Sequence, residues 1–161
     1  FKLSIDTMNK NVAEYSLDNK FEILNDVSGF KDSEMIELAA DKKSKIILVH
    51  NHPESHHIHE KMEFKNVVQE VKAHLESKII SLISYGIKEN QISIDPGLGF
   101  GKTMNDSRLL FESLDTFCFG FPLIVGYSKK KFTETLNLTD SQLYQHCIDS
   151  GAAFVRLHIA S

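Results

Sequence analysis

The sequence predicts an α/β protein built on a parallel sheet. Six short apolar runs rich in β-branched residues are spaced along the chain, each bounded by polar residues, glycine or proline, as buried parallel strands are. Five stretches between them carry apolar residues at intervals of three and four, the helical period. The two kinds of segment alternate without a linker or a composition shift, which is the pattern of β/α units in one domain. Spacing leaves two arrangements open, an open doubly wound sheet and six-eighths of an eight-stranded barrel. The 161 residues are short for a whole barrel, which takes ~250.

The first strand is "KLSID". It is followed by "NKNVAEYSLDN", in which Val12, Ala13 and Leu17 share one face. "FEILNDV" is the second strand. "KDSEMIELAADK" then reads as a helix with Asp32 or Ser33 as N-cap and Met35, Ile36, Leu38 and Ala39 on its apolar side. "KIILVH" precedes the longest helical stretch, residues 61–87, where Phe64, Val67, Val68, Val71, Leu75, Ile79, Leu82 and Ile83 recur and Gly86 is the stop signal. "QISIDP", "NDSRLLFESLDTF", "PLIVGYS", "DSQLYQHCIDSG" and "AFVRLHI" complete the alternation.

Composition narrows the function classes. With 42% hydrophobic and 25% charged residues the chain reads as an ordinary soluble globular domain. A net charge of −4 asks for neither nucleic acid nor an acidic membrane as partner. No apolar run approaches the ~20 residues of a membrane span, and "FKLSIDT" has no signal-peptide anatomy. Cys118 and Cys147 form neither a metal spacing nor a disulfide framework, so both read as buried or half-buried thiols and the compartment as cytoplasmic.

"ISIDPGLGFGKTMND" (92–106) looks first like a phosphate cradle. Counting back from Gly101-Lys102-Thr103, the first glycine of a P-loop falls on Pro96, which has no N–H, and Gly97, Gly99 and Gly101 miss the dinucleotide spacing. What remains is Asp95 at the carboxyl end of a strand, where α/β folds place ligand-binding groups. The other strands end alike: Asp6-Thr7, Asn25-Asp26, His50-Asn51, Ser128 to Lys131, and Arg156 to His158. In a parallel sheet these ends share one rim. Asp95, Asp6 and Asn25 can accept N–H groups from an aminopyrimidine-like edge. Lys130 and Arg156 are charged donors, the Arg plane can stack on a flat ring, and His158 can bind a phosphate. The rim fits a flat polar heterocycle with an anionic tail. The same residues have plainer readings as helix caps, a solvated lysine turn and a structural ion pair.

The segments "LSIDT", "ILNDVSGF", "ILVHNHP", "DPGLGFGKT", "PLIVGYSKKKF" and "VRLHI" resemble, in order and spacing, those of the dihydropteroate synthases. That resemblance implies a (β/α)8 TIM barrel, here incomplete, with residues 1–161 as a single pterin-binding barrel domain lacking two N-terminal β/α units. It implies condensation of 6-hydroxymethyl-7,8-dihydropterin pyrophosphate with p-aminobenzoate to give 7,8-dihydropteroate and pyrophosphate. Carried over residue by residue, Asp95, helped by Asn25 and Asp6, binds the pterin N–H edge, and Lys130 reaches its carbonyl and ring nitrogen. Arg156 stacks on the ring and with His158 holds pyrophosphate, while Phe100 and the Ser128–Lys131 turn flank the aminobenzoate. Gly99 and Gly126 join the substrate-binding set. Mg2+ is expected with the pyrophosphate, its family ligand preceding residue 1, and so no metal ligand is expected in this chain. A homodimer and inhibition by sulfonamides follow from the same resemblance.

The sequence departs from the family at Lys131, which replaces a small hydroxyl near the aminobenzoate carboxylate. The Thr133–Ser150 segment is shorter than usual, and Ile159-Ala160 follow Arg156-x-His158 where the family has Asp-Val. "HNHPESHHIHE" gathers five of the eight histidines. His50-x-His52 has a metal-ligand spacing, with His56, His57, His59 and Glu60 as further candidates, although Pro53 and clustering in one loop argue against a preorganised site. Alternatives are a non-catalytic pterin-binding protein, a methyltetrahydrofolate-binding methyltransferase domain and a metal-dependent barrel hydrolase.

Overall fold

The computed structural model describes residues 2–55 and 60–158. Among them β1 (Leu3–Asp6), β2 (Phe21–Asp26), β3 (Lys45–Val49), β4 (Ile92–Asp95), β5 (Ile124–Val125) and β6 (Phe154–Val155) alternate with α1 (Lys10–Asp18), α2 (Ser33–Asp41), α3 (Val67–Ser84), α4 (Met104–Glu112) and α5 (Asp140–Asp149). Strands β1 to β4 form one parallel sheet in sequence order. Strands β5 and β6 pair in parallel beside it, and a bridge from Ile94 to Leu123 joins the two pieces. Six strands in a flat sheet would hold the outer two about 24 Å apart. Instead Arg156, just past β6, stands 3.7 Å from Asp6 at the end of β1. The sheet is therefore curled into part of a barrel wall, and with no switch in strand order the doubly wound alternative falls.

The two faces of the wall divide as the strand alternation requires. Leu24, Ile46, Leu48, Ile92, Ile94 and Val125 point outward and share one core with Met35, Leu38, Val71, Leu75, Leu82 and Leu110 of the helices. Ile23, Ile47, Ser93, Ile124 and Phe154 line the inner cavity, of about 920 Å3.

Local chemistry fixes where each helix begins. Asn9, Asp32, Asn66, Thr103 and Thr139 each accept a first-turn N–H. Thr103 with Asp106 and Thr139 with Gln142 close capping boxes. The Asn66 cap sets the start of α3 six residues later than the expected Lys61, and Phe64 packs instead against the His50 and His52 rings, at 6.3 and 5.4 Å. Gly86 ends the helix as expected, with φ +95° and the Ile87 N–H bonded to Leu82 O.

Other expectations are corrected. α4 stops at Glu112 and gives way to a 3-10 turn, Leu114–Phe117. β5 and β6 span two residues each, because β5 meets β4 only at the Leu123 bridge and the chain bends away past Gly126 into a turn with Lys129 at φ +60°. On α1, Val12 is exposed and Ser16 is buried, its Oγ donating to Val12 O at 2.8 Å. Cys118 is exposed, and only Cys147 is buried. No helix among the described residues is long and apolar enough to cross a membrane.

Phe111 of α4 ties this end of the wall together. Its ring lies 6.2 Å from Tyr127, 5.6 Å from Phe132 and 4.7 Å from His146, so one side chain joins the segments after β5 to α4 and α5. Phe111→Ala is expected to cost about 3–5 kcal/mol. Denaturant unfolding checks this, and an unchanged midpoint would show that the cluster is not a single packing unit.

Candidate functional site

The carboxyl ends of the strands meet at one rim. The Asp95 carbonyl accepts from His50 N–H at 2.8 Å, anchoring β4 beside the end of β3. Its carboxylate is buried. Oδ1 accepts from the Gly97 N–H at 2.7 Å, and Oδ2 lies 3.6 Å from Arg156 Nη2. Asp6 Oδ2 accepts from Asn25 Nδ2 at 2.9 Å and faces Arg156 Nη1 at 3.7 Å. The Oδ1 of Asn25 is buried and has no hydrogen-bond partner among the described residues. Buried oxygens of this kind are normally satisfied, and this one belongs to a residue that lines the inner cavity together with Asp6 and Arg156. It is therefore an acceptor positioned for an N–H donor that enters the cavity.

Gly126 sets the position of the arginine. A Cβ there would stand 3.0 Å from Arg156 Nε and 3.1 Å from Nη2, so the missing side chain is the space in which the guanidinium lies. Asp6, Phe100, Gly126, Lys130, Arg156 and His158 line a smaller hollow of about 400 Å3 at the mouth. Lys130 Nζ donates to Leu98 O and sits 4.7 Å from the centre of the Phe100 ring, a cation–π contact. Gly99 passes close by, since an added Cβ would meet Lys130 Cδ at 3.5 Å. Burial pulls the Lys130 pKa below its ordinary value, with Asp95 opposing and Arg156 adding to the shift. His158 is exposed, and its backbone N–H donates to Ser128 Oγ at 3.3 Å. On the far side of Phe100, a third cavity of about 660 Å3 is bordered by Lys61, Lys102, Lys130, Lys131 and Phe132.

The rim residues expected from the sequence thus come together, and the plainer readings sort themselves. Asp6 and Asn25 cap no helix, because Asn9 and Asp32 do that work. Arg156 does form ion pairs, at distances longer than hydrogen bonds. The histidine loop yields no metal centre among the described residues, and His50 Nδ1 is 3.0 Å from Lys102 Nζ. His56, His57 and His59 lie outside the described residues.

Two further groups escape a reading of the sequence. Lys102 is almost fully buried and surrounded by acceptors. Burial lowers its pKa to about 7 despite the nearby Asp95 and Asp106 carboxylates. His74 of α3 packs edge-on against His50 at 5.0 Å, and its buried Nδ1 has no partner among the described residues. The available signal for Lys102 is the G-x-G-x-G spacing, which marks a backbone turned tightly enough to aim carbonyls inward. For His74 no local pattern exists.

A parallel barrel wall thus carries acidic, amide and guanidinium groups that face one cavity. The sequence profile of the pterin binding enzymes matches residues 1–158, and the chain belongs to that family. Among its relatives is the dihydropteroate synthase of Streptococcus pyogenes serotype M6, 31% identical over 97% of this chain and 60% of that protein. Two solved structures share the fold. The dihydropteroate synthase of Thermus thermophilus in complex with 6HMPPP has a TM-score of 0.84 at 29% identity, covering 98% of this chain and 64% of that one. The dihydropteroate synthase from Xanthomonas albilineans in complex with 7,8-dihydropteroate has a TM-score of 0.85 at 26% identity, covering 98% and 61%. The chain thus spans about 60% of the length of the curated relative it matches.

Burial lowers the His74 pKa to about 4, with Lys78, His52, Lys31 and Lys102 adding positive charge nearby. His50 is also shifted well down, by burial and then by Lys102. Unfolded histidines take up a proton near 6.5, and these folded ones resist it. The contribution of these two histidines to stability is therefore full above about pH 6.5 and is lost as the pH drops toward 4. His74→Leu should flatten that slope in unfolding curves taken across the window, whereas an unaltered slope would remove His74 as a contributor.

Proposed function

We propose that this protein condenses 6-hydroxymethyl-7,8-dihydropterin pyrophosphate with p-aminobenzoate, giving 7,8-dihydropteroate and pyrophosphate in folate biosynthesis. The observation that carries this reading is the convergence of buried Asp95, the unpartnered Asn25 oxygen and Arg156 on one cavity. Asp95, with Asn25 and Asp6, accepts the pterin's amino and ring N–H groups, and its buried position strengthens each bond. Lys130 leaves Leu98 O to donate to the pterin carbonyl and ring nitrogen. Arg156 covers the ring face and, with His158 at the mouth, holds the pyrophosphate.

The reaction breaks the bond between the exocyclic methylene carbon and the pyrophosphate oxygen, whose electron pair leaves with that oxygen. The electron-rich pterin stabilises the cation at carbon. The aminobenzoate amine supplies the pair for the new C–N bond and then loses a proton. No covalent nucleophile is needed, because positioning and preorganised charge supply the catalysis. Phe100 and Lys131 border the space beyond, where the aminobenzoate enters. Magnesium, when bound, neutralises charge on the departing pyrophosphate. The described residues gather no group of three or more metal-ligating side chains. Kinship with the family supports a cytoplasmic homodimer that sulfonamides, as aminobenzoate mimics, inhibit.

Pyrophosphate release on mixing both substrates with the protein tests the reading. The wild type should release it only when both are present, and Asp95→Asn should lower kcat/KM about 10- to 100-fold. Tight pterin binding without release would mark a binding protein instead. Lys131 is exposed, so its charge contributes modestly. Lys131→Ser should raise the aminobenzoate KM roughly two- to fivefold with kcat kept, and an unchanged KM would place the side chain away from the carboxylate.

A further inference from the structure

Lys102 makes no contact with Arg156, Asn25 or Asp6 among the hydrogen bonds and ion pairs described, yet its ammonium stands behind the loop that carries the site. It donates to Gly97 O and Phe100 O at 3.0 Å each and lies 3.0 Å from His50 Nδ1, with His50 O farther off at 3.4 Å. Each end of that set belongs to something functional. Gly97 is the residue whose N–H orients Asp95 Oδ1. Phe100 is the ring beneath Lys130. His50 is bonded through its N–H to the Asp95 carbonyl. The loop also presses directly on β3's end: a Cβ at Gly97 would fall 2.1 Å from His50 O. A buried cation is costly unless donors and acceptors are matched. Here three backbone carbonyls and one imidazole nitrogen surround it.

We infer that Lys102 is a positioning residue, which pins the Gly97–Phe100 turn to the end of β3 and thereby holds Asp95 and Phe100 where the pterin and its partner substrate need them. The inference rests on the proposed pterin chemistry for what the pin serves, and on geometry alone for the pin itself.

The test compares the full chain with Lys102→Met, a near-isosteric variant without donors, in two arms. The first is amide hydrogen exchange without ligand. Residues 97–101 should exchange about tenfold faster in Lys102→Met while β2 and β3 stay as in wild type; equal exchange at 97–101 overturns the pin. The second is calorimetric binding of 6-hydroxymethylpterin and of inorganic pyrophosphate. The pterin affinity should fall about tenfold with pyrophosphate affinity within about twofold of wild type, since Lys102 touches neither Arg156 nor His158 and Asp6 holds the arginine from the other side. Equal losses for both ligands would make Lys102 merely structural, and no loss for either would overturn its positioning role. If wild type binds no pterin, the functional reading fails, and the exchange arm alone decides whether the pin exists.

Discussion

A carboxylate withdrawn from water at the end of a strand must be surrounded by donors and positive charge, and Asp95 organises its neighbourhood around that requirement. One oxygen takes the Gly97 N–H; the other faces Arg156. The ammonium groups of Lys102 and Lys130 lie close enough for their charges to feel Asp95. Much of the rest is a consequence. The glycines at 97, 99 and 101 all have positive φ, the condition under which so short a loop can double back over a strand end. Burial outweighs Asp95 in depressing the pKa of both lysines, and repulsion among the neighbouring cations adds to it.

The sheet supplies the second constraint. Parallel strands put all carboxyl ends on one side, and curling the sheet brings its first and last strands within reach of a single arginine. Asp6 and Arg156 are separated by almost the whole chain, yet they close the rim together. The inner face then offers a cavity walled by Ile23, Ile47 and Ile124, with Asp6, Asn25 and Arg156 at its carboxyl end and Lys2, Lys45 and Glu89 at its amino end.

Much of this is legible in the sequence. Strand ends can be aligned on one rim because parallel topology is implied by alternation, and the chemistry of Asp95, Asn25, Lys130 and Arg156 can then be added up. The curl cannot be read, since period-two and period-four patterns are the same for an open sheet and a barrel; it takes the Asp6–Arg156 distance to decide. The start of α3 is misplaced by periodicity because Phe64 sits at a helical spacing from Val67 and Val68, and only the Asn66 cap reveals that the phenylalanine belongs to the histidine rings. Lys102 is visible as a residue and invisible as a buried cation, because nothing local tells a surface lysine from one closed over by its own loop.

Gly126 carries a last implication. Its contribution is an absence, the volume in which a guanidinium rests. A single methyl group there would press on the guanidinium at about 3.0 Å and shift it by a few tenths of an ångström, with every charged and hydrogen-bonding side chain left in place. An allele of that kind would look silent in any survey of polar residues, and its phenotype would be that of a misaligned arginine.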